Sequence, residues 1–236
     1  MSEWKAKRFW KGASVEALDQ GFTVTLDGRP VRTPLKTLIA MPSRALADGV
    51  AAEWDAQPEV IDPMSMPLTR AVNATLDKVV PQRADVAANL AEYGGTDLLC
   101  YRATDPETLI ARQAAAWDPM LDWAATALGA PLKVTQGIMH VPQPTASIVA
   151  LRTRVDAMTA WQLTALSEFV TLSGSLILAL AAMEGRDPDD LWPLSRIDED
   201  WQAEQWGEDE EEAARIAVKR GAFAQAGRFL ELLSAD

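Results

Sequence analysis

The chain has 236 residues, of which 34 are acidic and 22 are basic, so its formal net charge is −12 at pH 7. An apolar content of 48% is ordinary for a globular protein and argues against a disordered chain. Because phosphate backbones and anionic lipids repel a negative protein, we expect no nucleic acid as a partner and no insertion into a membrane.

The single cysteine and the single histidine narrow the chemistry further. One cysteine cannot form a disulfide within the chain, which indicates a reducing compartment such as the cytoplasm. One histidine, His140, excludes zinc sites that need two or more histidines. The sequence contains no phosphate-binding glycine loop, dinucleotide fingerprint, nucleophile elbow or kinase signature. We therefore expect no cofactor and no metal.

The N-terminal segment MSEWKAKRFWKG has no apolar core of signal-peptide length, so we expect a cytoplasmic protein without a signal or transit peptide. The longest apolar run, Leu163 to Met183, contains Glu168. Its charge-free part, from Phe169 onward, is shorter than the roughly 20 residues that cross a bilayer. The run predicts a buried helix at the centre of a soluble protein.

The first forty residues predict strands. The extended segments are 8–11, 14–18, 22–26, 31–33 and 38–41. The first two flank Gly12 and predict a strand pair. Residues 22–26 alternate in polarity, Asp27-Gly28 supplies a tight turn and residues 31–33 return, which together predict a hairpin.

Helices dominate the rest of the chain. Ser43 is expected to cap the first of them, in which Leu46, Val50 and Trp54 share one face. The predicted helices cover 43–57, 67–79, 82–93, 106–128, 145–160, 163–183, 188–206 and 208–233. A buried strand is expected at 97–102 and a short extended piece at 132–136.

This order of elements predicts an α+β fold, in which a small β-rich N-terminal domain precedes a larger, mostly α-helical C-terminal domain. The N-terminal domain is expected to cover residues 1–60 and the C-terminal domain residues 61–236. The sequence contains no internal repeat and no low-complexity linker.

Most of the net charge lies in one segment. Residues 184–212 hold thirteen acidic side chains and two basic ones, so the rest of the chain is nearly neutral. Two explanations fit this concentration of acidic residues equally well. It could be a solvated helical face that keeps the protein soluble, or a surface that attracts a basic partner. On a regular helix Glu199, Trp206 and Glu210 point the same way, with Gln202 at the edge of the stripe. Carboxylates beside an aromatic ring suit the binding of a peptide surface, whereas a buried Trp with solvated carboxylates is the alternative.

Catalysis has two candidate groups. Cys100 lies in an apolar segment, which favours a buried, inert thiol over a nucleophile. His140 has apolar neighbours and no acid near it in sequence. A hydrolase would need a deep pocket in which His140 meets one of Asp198, Glu199 or Asp200, and this acidic-site hydrolase is the alternative to a non-catalytic protein.

Seven short blocks, in the same order along most of the chain, resemble the ATP12-type assembly chaperones of the F-type ATP synthase. They are Arg8-Phe9-Trp10-Lys11, Gly21-Phe22 with Leu26-Asp27-Gly28-Arg29-Pro30, Thr33-Pro34, Glu53-Trp54-x-x-Gln57, Met66-Pro67-Leu68-Thr69, Asp97-Leu98-Leu99-x-Tyr101 and Glu199-x-x-Gln202-x-x-x-Trp206-Gly207. Each block is weak alone, whereas seven in order are fairly specific.

The resemblance implies a chaperone and not an enzyme. Members of the family bind the free alpha subunit of the catalytic head and hand it on for assembly with beta subunits, so this chain would be a bacterial relative in the cytoplasm. A free alpha subunit exposes the apolar surface that later contacts beta, and such surfaces aggregate when they are left bare.

The resemblance implies that an acidic residue in the last block is functional. Glu199 matches that position best, but Asp198 and Asp200 flank it, so the alignment could be shifted by one residue. Trp201 stands where the family more often has Phe or Tyr. The partner-binding residues expected from the resemblance and the stripe are Asp198, Glu199, Gln202, Trp206 and Glu210.

Overall fold

A computed structural model describes residues 7–207 and 209–235, which form five short strands and ten α-helices. The strands are β1 (Ala13–Leu18), β2 (Gly21–Leu26), β3 (Arg29–Pro30), β4 (Tyr101–Arg102) and β5 (Thr135–Gln136). The helices are α1 (Arg44–Asp55), α2 (Pro67–Ala74), α3 (Arg83–Glu92), α4 (Glu107–Ala127), α5 (Thr145–Asp156), α6 (Ala160–Ser173), α7 (Leu176–Met183), α8 (Pro188–Leu191), α9 (Ile197–Trp206) and α10 (Glu210–Ser234). A small N-terminal sheet followed by a mostly helical part confirms the α+β prediction.

The N-terminal sheet has the antiparallel order β1-β2-β3. Asp27 and Gly28 both have positive φ angles, 48° and 78°, which is the primed turn that suits a two-residue hairpin. The turn is therefore where the sequence predicts it, but the returning strand β3 has only two residues. The predicted pairing of segments 8–11 and 14–18 is wrong. Residues 14–18 do form a strand, β1, but it pairs with β2, and segment 8–11 forms no strand.

Glycine is required at Gly21, where β2 begins. Its φ angle is +93°, and a Cβ atom there would lie 2.2 Å from the carbonyl oxygen of Met41. The close approach lets Phe22 and Met41 exchange two backbone hydrogen bonds of 2.9 and 2.8 Å, which attach the segment before α1 to the sheet.

Helix α1 begins where the sequence predicts it. The Ser43 hydroxyl accepts a hydrogen bond from the backbone N–H of Leu46, which satisfies one of the free donors at the helix start. Leu46 and Val50 are completely buried, while Trp54 is half-buried and packs edge-on against Trp10 at 5.2 Å between ring centroids. The predicted apolar face is confirmed.

The apolar run at 163–183 forms two helices and not the single predicted one. Helix α6 ends at Gly174, which has a left-handed φ angle of 70°, and Ser175 caps α7 by accepting from the N–H of Leu178. The helix break consists of only three small residues, Ser173-Gly174-Ser175, and the apolar residues on both sides give the sequence pattern of one continuous helix. The predicted helix at 188–206 is likewise divided, into α8, a 3₁₀ turn and α9.

Segment 97–102 is a capped turn followed by a two-residue strand, so the prediction of a buried strand there is only partly correct. Asp97 is completely buried and accepts hydrogen bonds from the Ser175 hydroxyl at 2.8 Å and the N–H groups of Ile177 and Leu99 at 3.0 and 3.1 Å. Burial outweighs these bonds and raises the pKa of Asp97 to about 6.

The described chain divides into two compact units. One consists of residues 7–82 with 228–235, and the other of residues 83–227. The domain boundary at residue 60 stays a prediction. Within the described ranges, no helix has both the length and the apolar composition that crossing a bilayer requires.

Candidate functional site

Helix α9 carries most of the predicted site residues and has a strongly acidic start. Asp198, Glu199 and Asp200 occupy its first turn, where carboxylates interact favourably with the positive end of the helix dipole. The helix ends at Trp206 because Gly207 adopts a φ of +91° and a ψ of 159°, a conformation that is essentially restricted to glycine.

An open groove with a volume of about 530 Å³ runs between α9 and the start of α4. Its lining residues are Ala103, Asp105, Pro106, Leu109, Asp198, Trp201, Gln202, Gln205 and Trp206. The α9 members follow a helical spacing of three and four residues, so they lie on one face of that helix. Three predicted site residues, Asp198, Gln202 and Trp206, are thus brought together on one surface.

Two polar contacts fasten the groove's walls to each other. Gln113 of α4 donates its amide to a carboxylate oxygen of Asp198 at 2.6 Å, and Arg112 donates to both carboxylate oxygens of Glu204 at 2.8 Å. The Gln113 amide is neutral, so the contact orients the Asp198 carboxylate without neutralising its charge. The Glu204 carboxylate, in contrast, forms an ion pair with Arg112, which neutralises its charge.

Trp206 is the largest exposed aromatic side chain of this surface, with 80% of its area accessible. The sequence left a buried tryptophan as the alternative, and the structure does not support that alternative for Trp206. Trp201, five residues earlier, is half-buried and contributes its ring to the groove wall. Together they give the groove an aromatic rim.

Much of the acidic segment's charge is neutralised within the chain. Five arginines hold its carboxylates in pairs, which are Glu184 with Arg154, Asp189 with Arg220, Asp200 with Arg196, Glu204 with Arg112, and Glu211 and Glu212 with Arg215. Glu199 is exposed and forms no ion pair with any residue that the structure describes. Of the three adjacent acids on α9, Glu199 is therefore the one that faces solvent freely.

Two predictions of geometry need correction. Glu210 does not continue the α9 stripe, because α9 ends at Trp206 and Glu210 is the first residue of α10. Glu199 lies on α9 but outside the groove lining. The role of these residues in partner binding stays a prediction.

The α4 side of the groove was not predicted from the sequence. Residues 103–109 lie about ninety positions before α9, and no sequence pattern pairs the two segments. Trp201 and Gln205 could have been found, since they follow Asp198 at three and seven positions and therefore share its helical face.

The groups proposed for catalysis lie elsewhere. His140 is exposed, and its Nδ1 atom is 3.3 Å from the Tyr101 hydroxyl and not beside an α9 carboxylate. Cys100 is buried; burial and the nearby Asp97 charge raise the pKa of its thiol to about 12, so it is a poor nucleophile. No cluster of three or more His, Cys, Asp or Glu side chains in the described ranges is arranged to hold a metal ion.

Residues 7–125 match the family model described as "ATP12 chaperone protein". The chain belongs to the ATP12 chaperone family. Members of this family are non-enzymatic assembly factors of the ATP synthase, which confirms the predicted non-catalytic role and leaves the hydrolase alternative without support. The matched range includes the α4 part of the groove and ends before α9.

Solved and curated relatives extend the likeness to nearly the whole chain. The crystal structure of Atp12 from Paracoccus denitrificans is 50% identical, with a TM-score of 0.94, and the match covers 98% of this chain and 100% of that chain. A mutant of the same Paracoccus protein, with lysine in place of an aspartate, is 49% identical over the same shares and also has a TM-score of 0.94. The mitochondrial protein atp12 of Schizosaccharomyces pombe is 22% identical over 214 residues, which are 85% of this chain and 74% of the yeast protein.

Proposed function

We propose that this ATP12 family member binds the free alpha subunit of the ATP synthase catalytic head in the bacterial cytoplasm. It shields the surface of alpha that later contacts beta and releases alpha when assembly proceeds. The client-binding face is formed by Asp198, Gln202 and Trp206 in the groove, with Glu199 beside it and Glu210 at the start of α10.

The observation that carries this proposal is the exposure of Trp206 at an open groove. Trp206 is 80% exposed and lines one groove with Trp201, Pro106 and Leu109, so its ring is not an isolated apolar group. Apolar surface that is grouped in this way commonly marks contact sites for other proteins. Trp is also among the residues that contribute most binding free energy at interfaces. An exposed indole beside carboxylates therefore fits a surface that binds a protein client.

The charge pattern supports Glu199 as the acid that meets the client. Asp200 is paired with Arg196, and Asp198 accepts from Gln113, whereas Glu199 is exposed. Carboxylates at the rim of an interface speed the encounter with a basic partner and add little affinity, which suits a chaperone that must release its client.

Charge reversal on α9 tests the proposal. The tagged wild-type chain, Glu199→Lys and a matched control, Glu92→Lys, are each used to capture purified alpha subunit. Glu92 is exposed at the end of α3 and lies outside the groove, so its reversal changes net charge equally. We expect Glu199→Lys to weaken alpha binding about tenfold, a loss of about 1.4 kcal/mol, while Glu92→Lys binds normally.

The Asp-to-Lys mutant of the Paracoccus relative matches this fold as well as the unmutated protein does, so charge reversal on an acidic residue is compatible with the family fold. Circular dichroism and thermal unfolding of Glu199→Lys check this for the present chain. A folded Glu199→Lys that binds alpha like the wild type would show that Glu199 is not on the client-binding face.

The identity of the client is tested separately, by capture from the native cytoplasm at low and moderate salt with mass spectrometry. Recovery of alpha without beta is the expected result. Recovery of the complete ATP synthase would instead indicate a peripheral binder, and failure to recover alpha at either salt would overturn the proposal.

A further inference from the structure

The groove between α4 and α9 contains two carboxylates, Asp105 and Asp198, and two indoles, Trp201 and Trp206, but none of its lining residues is basic. We propose that this groove binds an arginine side chain on the surface of the client. The inference rests on the proposed function and specifies the chemistry that the same site recognises.

The chain itself shows how it combines these groups when an arginine is available. The guanidinium of Arg102 donates to a carboxylate oxygen of Asp118 at 2.7 Å and lies 5.3 Å from the ring centroid of Trp117. One planar cation thus satisfies a carboxylate and stacks on an indole at the same time.

The same combination occurs again immediately before α9. The Nε atom of Arg196 lies 3.3 Å from a carboxylate oxygen of Asp200, which is an ion pair without a hydrogen bond, and the guanidinium carbon lies 5.9 Å from the ring centroid of Trp192. The side chains of Arg102 and Arg196 are both largely buried, at 6% and 11% exposure, whereas the carboxylates of Asp118 and Asp200 are 57% and 46% exposed, so each arginine pairs with an acid that water also reaches. The groove offers a carboxylate and an indole in the same way, but no arginine of the described chain stacks on Trp201 or Trp206.

The carboxylate of Asp198 is positioned to accept from outside the chain. Its Oδ1 atom accepts from the Gln113 amide, which fixes the carboxylate but leaves its negative charge in place. Asp105 is exposed at the opposite side, where its carboxylate has one contact of 3.3 Å with the Thr104 hydroxyl. Both acids keep acceptor capacity for a cation from the client.

Arginine fits this lining better than lysine. A guanidinium is planar and presents several N–H donors in a fixed arrangement, so it can bond a carboxylate while its face lies on an indole. Pro106 and Leu109 add apolar walls that can cover the aliphatic part of the same side chain.

Three small probes test the groove without any client. N-acetyl-arginine methylamide, its lysine analogue and its uncharged citrulline analogue are titrated into the ¹⁵N-labelled full chain. The indole N–H signals of Trp201 and Trp206, assigned with single Trp→Phe variants, are followed by NMR. We expect the arginine probe to shift both signals saturably, the lysine probe to bind several-fold more weakly, and the citrulline probe to leave them unchanged.

Isosteric substitutions identify the carboxylates. Asp198→Asn and Asp105→Asn each remove one charge at nearly constant shape, and each is expected to weaken arginine binding about threefold or more. Asp122→Asn, an exposed α4 position outside the groove, is the matched control and should bind like the wild type. Absence of a shift with the arginine probe, equal shifts with citrulline or lysine, or equal binding by the two groove variants and the control would each overturn the proposal.

A parallel measurement separates this inference from the function on which it rests. If the wild type captures alpha but the arginine probe does not bind, the arginine assignment is wrong and the chaperone role stands. If the probe binds in the groove but alpha is not captured, the groove recognises arginine and the proposed client is wrong.

Discussion

Two segments of the chain use the same three residue types, Glu, Trp and Gln, in opposite ways. In the first unit, the carboxylate of Glu53 accepts from the N–H groups of Leu68 and Thr69 and from the Thr69 hydroxyl, all at 2.7 Å. Gln57 donates to Glu53 O and Ser65 Oγ, and its own oxygen accepts from Asp62 N–H. The polar side-chain atoms of Glu53 and Gln57 are thus bonded inside the fold, whereas the buried indole N–H of Trp54 has no hydrogen-bond partner among the described residues.

In the second unit, the side chains of Glu199, Gln202 and Trp206 are exposed, and no described residue forms a hydrogen bond or ion pair with them. Both segments belong to the blocks that resemble the ATP12 family. The residue types of a motif therefore do not by themselves distinguish a structural role from a binding role. Under the proposed function, what distinguishes the two segments is the number of hydrogen-bond and ion-pair partners that their Glu and Gln side chains have inside the fold.

The largest expected effect is at Glu53. Replacing it with alanine leaves three donors at the start of α2 without their acceptor, in a half-buried position. We expect Glu53→Ala to lower the free energy of unfolding by about 2–4 kcal/mol, measured by urea denaturation. A loss below about 0.5 kcal/mol would mean that Glu53 contributes no more to stability than the exposed Glu199 of α9 is expected to.

Asp97 is another acid of the family blocks whose carboxylate is hydrogen-bonded inside the fold. Its pKa in the folded chain, about 6, lies above the ordinary value of 3.8, so the folded state binds a proton more readily than the unfolded state. The contribution of Asp97 to stability therefore rises as the pH falls through 6 toward 4.

Asp97→Asn removes this titration and also replaces a carboxylate that accepts several hydrogen bonds. We expect it to destabilise the protein by about 1–3 kcal/mol at pH 7. The difference in unfolding free energy between the wild type and Asp97→Asn should widen by on the order of 1 kcal/mol between pH 7 and pH 5. A difference that is constant with pH would contradict the raised pKa.

Gln57 gives the next smaller effect. Its side-chain amide forms one hydrogen bond with the Glu53 carbonyl in α1 and two with the loop at 62–65, so it connects the end of α1 to that loop. Gln57→Ala should lower the free energy of unfolding by about 1–2 kcal/mol, because the loop donors and acceptors can partly turn to water. Gln202→Ala on α9 is the matched control and should change stability much less.

The smallest change in stability is expected on α9. Trp206→Ala and Glu199→Ala should each alter the free energy of unfolding by less than about 0.5 kcal/mol, since both side chains are exposed. Both variants should nevertheless weaken capture of the alpha subunit. A strongly destabilised Trp206→Ala would mean that the indole has a structural role, and the comparison would fail.

The sequence predicts local structure where one residue determines it. The primed turn at Asp27-Gly28 and the cap at Ser43 were both placed correctly from such residues. The break at Gly174 and the capped turn at Asp97 were not, because the surrounding apolar residues give the pattern of a continuous buried element.

The same limit applies to the groove. Helical spacing predicts a stripe of Glu199, Gln202, Trp206 and Glu210, and of these only Gln202 and Trp206 line the groove. Asp198 was among the expected site residues through the family resemblance and not through that spacing. The opposite wall, with Asp105 and Leu109, depends on how α4 packs against α9, and no local signal in the sequence encodes that contact.

The last turns of α10 carry a consequence for biosynthesis. Residues 228–235 belong to the first compact unit, where the Ser43 hydroxyl donates to the Leu232 carbonyl and the Leu232 side chain lies beside Gly49. At roughly 5–20 residues per second, a ribosome needs roughly seven to thirty seconds to translate the segment 83–227 that comes between. The first unit is therefore incomplete when residues 7–82 have emerged from the ribosome. The part of α1 that Leu232 covers stays exposed until the second unit has been synthesised.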